Sequence, residues 1–68
     1  MKTKIKELRK ERKMSQDELA AEGGTTRQTI TSLEVGKYTA SLVFAYKIAH
    51  FFGRTIEEVF DFSEVEEM

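Results

Sequence analysis

The chain has no cysteine and no proline, and it carries a single histidine. Without cysteine there is neither a disulfide framework nor a thiolate metal site, and a lone imidazole, His50, cannot assemble a ligand cluster. No metal or other cofactor is therefore expected. Long apolar runs are missing too: Met1 leads straight into Lys2, Lys4 and Lys6, with nothing long enough for a signal peptide or a membrane span. The expectation is a cytoplasmic protein without a membrane partner. No activated nucleophile, carboxylate pair or phosphate-cradling glycine loop can be put together, so the chain reads as a binding protein rather than an enzyme. With 68 residues it is one domain near the lower size limit for a self-sufficient core, which must be compact and mostly local.

What is present is charge, unevenly placed. The formal net charge of −1 hides a division: residues 1–54 hold all 11 Lys and Arg against six acids, and residues 55–68 hold the other six acids and no base. A basic body and an acidic tail follow. Seven of the bases lie between Lys2 and Lys13, a run that suits either a solvated helix face or a polyanionic partner.

Apolar residues recur at spacings of three and four, which predicts five short helices. The first spans about Lys2 to Arg12 and turns Ile5 and Leu8 inward. Ser15-Gln16-Asp17-Glu18 has the capping-box form and opens a second, which buries Leu19 and Ala20 and stops near Gly23-Gly24. Thr26 caps a third, Arg27 to Val35, with Ile30 and Leu33 inward, Arg27, Gln28, Thr31 and Ser32 outward, and Gly36 as its stop. Ser41 caps a fourth that ends at Gly53 and buries Leu42, Ala45, Ile48, Ala49 and Phe52. A second capping box, Thr55-Ile56-Glu57-Glu58, opens a fifth that buries Ile56, Val59 and Phe60. Phe44, Tyr46 and Phe51 read as core and edge packing, and His50 as solvent-facing. Residues 1–61 form the folded domain and 62–68 an acidic tail, in which Phe62, Val65 and Met68 either fray or contact another subunit.

Ser15 to Gly36 is thus two short helices joined by a glycine-containing turn, the second with a polar outer face. That is the plan of a helix-turn-helix, whose second helix fits a major groove about 12 Å wide. At these residues the chain resembles the Cro and phage-repressor helix-turn-helix family, also called xenobiotic-response-element-like regulators. The resemblance runs through Ile5-Lys6-Glu7-Leu8-Arg9, Ser15 to Ala20, Arg27-Gln28-Thr29-Ile30, Leu33-Glu34, Gly36-Lys37-Tyr38, and Ser41-Leu42 through Ala49 to Phe60. It implies an all-α, five-helix repressor-like DNA-binding domain that reads duplex DNA with its third helix. Three positions depart from the family pattern: Gly23 replaces a larger apolar residue, Val35 an asparagine, and Ala40 a proline.

The candidate DNA-binding residues are Gln16, Thr26, Arg27, Gln28, Thr31, Ser32, Lys37 and Tyr38. Gln28 can donate to and accept from an adenine edge, and Arg27 can pair with guanine or clamp a phosphate. By the resemblance, Gln16 reaches a phosphate or an adjacent base. Lys37 and Tyr38 are placed to grip the backbone, although Tyr38 suits packing over the core equally well. Thr26, Thr31 and Ser32 carry short hydroxyls that serve a cap or solvent as readily as DNA. Arg9 and Glu34 match positions that pair in members of the family. One short helix reads few base pairs, which points to a homodimer. An antitoxin or adaptor whose acidic tail engages a protein partner, and a helical interaction module that does not bind DNA, are the rival readings.

Overall fold

The computed structural model describes residues 1–37 and 40–63, so Tyr38, Val65 and Met68 lie outside the described residues. Five helices follow in order: α1 (Ile5–Glu11), α2 (Gln16–Gly23), α3 (Arg27–Glu34), α4 (Leu42–Phe51) and α5 (Ile56–Val59). All are too short to persist alone in water, so packing must hold them. They meet on one core built from Ile5 and Leu8 of α1, Leu19 and Ala20 of α2, Ile30 and Leu33 of α3, Ala45, Ile48 and Ala49 of α4, then Phe52, Val59 and Phe60. Ile5, Leu19, Ile30 and Leu33 are fully buried. Each such side chain contributes about 1.5–3 kcal/mol relative to exposure.

Local chemistry sets the helix ends. Ser15 and Thr55 both form complete capping boxes, with the hydroxyl accepting from the backbone N–H of Glu18 or Glu58 and that carboxylate accepting from the cap N–H. Thr26 and Ser41 cap α3 and α4 through their hydroxyls. The backbone and side-chain hydrogen bonds from Ser15 hold the Glu18 carboxyl below its ordinary 4.5, and those from Thr55 do the same for Glu58. A carboxyl lowered in the folded state stabilises above its ordinary pKa, and that contribution fades as pH falls through the lowered value. NMR titration is expected to place both carboxyls below 4.5, and Ser15→Ala to return Glu18 toward it. At the other end of α2, Gly24 takes a left-handed φ of 67° while Thr25 N–H reaches back to Ala20 O at 2.9 Å, closing the helix so that α3 can start within three residues.

The N-terminal expectation needs correction. Lys2 to Lys4 do not begin α1 but run against the end of α5: Lys4 N–H donates to Val59 O and Asp61 N–H to Lys2 O, both at 2.8 Å, around a Thr3–Phe60 antiparallel bridge. Nothing in Lys2-Thr3-Lys4 forbids a helix; backbone pairing with a distant segment decided otherwise. Phe60 is buried as expected but in extended conformation just beyond α5, and Ile56 is only half-buried. Phe62, the first apolar residue of the tail, packs against the core.

Leu42 is the clearest failure of periodicity, since it is 77% exposed rather than buried. As the first residue of α4 its side chain leans back past the helix N-terminus, off the edge of the core. Tyr46 is also largely exposed, in contrast to half-buried Phe44 and Phe51, and it stacks on exposed His50 with ring centroids 5.7 Å apart.

Phe44 explains how the fold tolerates Gly23. A Cβ built on Gly23 would lie 3.0 Å from Phe44 Cε1 and 3.4 Å from Ile48 Cδ1, so the ring fills the volume that a larger residue would occupy. Replacing a helical glycine by alanine ordinarily gains about 1 kcal/mol. In this chain Gly23→Ala is expected to be neutral at best, because the ring must retreat. In a Phe44→Ala background the same change should recover the gain, which paired urea melts would measure.

Candidate nucleic-acid interface

Gln16, the first residue of α2, lies along α3 from Arg27 to Glu34, and with Arg9 of α1 polar side chains from three helices interlock there. Arg9 of α1 donates from Nε to Glu34 Oε2 at 2.8 Å and from Nη2 to Oε1 at 3.3 Å, and its Nη1 donates to Met14 O at 2.8 Å. This is the expected pair, and it is largely buried: the side chains of Arg9 and Glu34 are 12% and 5% exposed. Gln16, half-buried at the start of α2, donates from Nε2 to Glu34 Oε1 at 3.1 Å. Its Oε1 accepts from Arg27 Nε at 3.2 Å and lies 3.3 Å from the Thr31 hydroxyl, which is also 3.1 Å from Arg27 O. With one proton, Thr31 donates to one of these at a time.

Arg27, Gln28 and Thr31 lie exposed along α3, with Arg27 and Gln28 in its first turn. Gln16 joins Arg27 and Thr31 into one cluster, while Gln28 stands beside it. Thr26 is exposed, but its hydroxyl is committed to the cap, accepting from Thr29 N–H at 3.3 Å. Ser32 is half-buried, between exposed Thr31 and core-facing Leu33. Lys37 is exposed just beyond Gly36, its N–H bonded to Ser32 O at 3.0 Å, a position three residues past the end of α3. Val35, where an asparagine was expected, is 62% exposed and offers no polar group. Sequence reading missed the hydrogen bonds of Gln16, because no periodicity marks a contact between side chains 11 and 18 residues apart.

The basic N-terminal run is not uniform in role. Arg9 is consumed by Glu34, and Arg12 lies over the Phe51 and Phe52 rings at 5.0 and 5.1 Å while donating to Phe51 O. Asp61, whose carboxyl is lowered first by hydrogen bonds from Ser63, also feels Lys2 and Lys4. Arg9 and Arg12 of the seven bases therefore serve the fold, while Arg27 on α3 and Lys37 just beyond it are exposed cations beside the cluster.

Comparison with known proteins converges on this geometry. A family model described as helix-turn-helix matches residues 5–59. A protein of Archaeoglobus fulgidus named an HTH-type transcriptional regulator is 52% identical over 66 residues, which cover 97% of this chain and 93% of that protein. The restriction-modification controller protein C.AhdI from Aeromonas hydrophila superposes with a TM-score of 0.74 at 32% identity, over 84% of this chain and 83% of that one. SinR, the master regulator for biofilm formation, solved in complex with DNA, superposes with a TM-score of 0.70 at 27% identity, over 79% of this chain and 87% of its own.

Proposed function

Because the chain belongs to the Cro and phage-repressor helix-turn-helix family, we propose that it is a DNA-binding transcriptional regulator that acts as a repressor and reads the major groove with α3. The observation that carries this reading is the outer face of α3: Arg27 and Gln28, both with planar hydrogen-bonding ends, stand exposed in the first turn of the helix. Gln28 serves as an adenine reader, and Lys37 as a phosphate contact beyond the helix. Gln16 keeps its second amide proton for a phosphate, and Thr31 lines the same face. Residues 1–61 form the binding unit, with 62–68 as a tail. The protein works by binding rather than catalysis, inside the cell where its DNA lies, and as a homodimer, since one short helix contacts too few base pairs to select a genomic site.

Binding is expected to weaken steeply with salt, because phosphate contacts release counterions and log K falls by about 0.9 per phosphate neutralised for each decade of salt. Titration of a duplex at several salt concentrations measures the slope. A flat response, or no binding at low salt, would overturn the proposal.

A further inference from the structure

The orientation of Arg27 is imposed by residues behind it. Glu34 can only accept hydrogen bonds, so the Gln16 amide beside it must present its NH2 group there and turn its oxygen the opposite way. Reversed, the amide would set oxygen against a carboxylate and NH2 against a guanidinium. The oxygen therefore meets Arg27 Nε at 3.2 Å. A guanidinium is a rigid planar fork, and once its Nε is engaged the edge formed by its two terminal nitrogens remains for an external partner.

That edge matches two coplanar acceptors. Guanine presents such a pair, O6 and N7, in the major groove. Phosphate can also accept two hydrogen bonds, but it can be reached by a long, mobile side chain and has no need of a fixed plane. Holding the plane before binding reduces the conformational entropy lost when a base-specific contact forms. The first turn of a reading helix is also where side chains meet base edges. We propose that Arg27 reads a guanine end-on, and that Gln16, oriented by Glu34 and through it by Arg9, is the positioning residue for that contact. The inference rests on α3 being the reading helix and decides a target that the sequence left open between guanine and phosphate.

The experiment starts from the full chain and a random duplex pool. The selected duplex is then compared with copies carrying another base, or 7-deazaguanine, at each guanine in turn. We expect one guanine per half-site at which these changes cost the wild-type chain roughly tenfold to a hundredfold, and cost Arg27→Ala nothing further. Arg27→Lys, which keeps the charge and loses the planar fork, should not restore the preference. Gln16→Ala, which leaves Arg9 on Glu34, should stay folded at a modestly lower melting temperature while the affinity ratio between guanine and the replacement base shrinks several-fold. A merely structural Gln16 would leave that ratio alone. Equal loss on all duplexes for Arg27→Ala, with recovery by Arg27→Lys, would make Arg27 a phosphate clamp and overturn the inference alone. An intact guanine ratio in Gln16→Ala would overturn the positioning role. Selection that enriched no sequence would overturn the proposed function and this inference together.

Discussion

Arg9→Ala is expected to destabilise the fold by about 3–5 kcal/mol, the range for removing one partner of a buried ion pair. The size follows from what remains. Glu34, 5% exposed, would keep the Gln16 amide and lose both hydrogen bonds from the guanidinium, leaving a charge without its counterion. Met14 O would lose its donor as well. Glu34→Ala strands Arg9 in turn, though Arg9 retains Met14 O and is somewhat more exposed at 12%. The double mutant should therefore cost less than the sum of the two, and urea melts of all four proteins give the coupling directly. A domain of this size has only about 5–15 kcal/mol in hand, so Arg9→Lys, which keeps a charge but loses the fork, should be included as a milder variant. Arg54 and Glu58 provide an internal contrast: they lie 3.9 Å apart with side chains 46% and 51% exposed, and Arg54→Ala should cost under about 1 kcal/mol. Small and additive losses at Arg9 and Glu34 would show that the buried pair is not what holds α1 to α3.

The contrast between these two pairs also marks what could be read from sequence. Pairing of Arg9 with Glu34 was legible only through resemblance, because two charges 25 residues apart carry no local signal. Helix starts were legible from chemistry alone: Ser15, Thr26, Ser41 and Thr55 each supply a hydroxyl that only the first turn of a helix needs, and all four act as caps. Burial was legible in the middle of helices and failed at their margins. Ala45, Ile48 and Ala49 lie where the period of α4 puts them, whereas Leu42 at its start does not. The pairing of Lys2–Lys4 with residues 59–61 could not be seen, since it depends on where two chain segments are delivered by the helices between them.

At the interface the same boundary separates residue type from residue orientation. Arg27 and Gln28 are exposed as expected, because the apolar pair Ile30 and Leu33 fixes which face of α3 turns inward, and Lys37 is exposed in the segment beyond it. How the Gln16 amide is turned depends on Glu34, and that requires three helices to be in place. A substitution such as Val35 for asparagine, by contrast, was legible as a lost polar group and remains one in the fold.

Gln28→Ala is expected to cost about 1–3 kcal/mol on the selected duplex and to relax preference at one base position per half-site, an adenine, while leaving the fold almost unchanged. Gln28 is the second residue of α3, exposed one position beyond Arg27, so removing its amide opens no cavity and strands no buried partner. Lys37→Ala should behave differently. Lys37 lies past the end of α3, exposed beside Gly36, and a point charge on a flexible stem attracts phosphate without reading bases. Its loss should weaken all duplexes by similar factors and reduce the salt slope by about 1, whereas Gln28→Ala should leave the slope nearly intact because an uncharged amide releases no counterion. Each mutant is measured on the selected duplex, on single-base variants and on unrelated sequence, at two or more salt concentrations. If Gln28→Ala lost affinity equally on every duplex, its amide would be holding the backbone and α3 would be reading sequence through other residues.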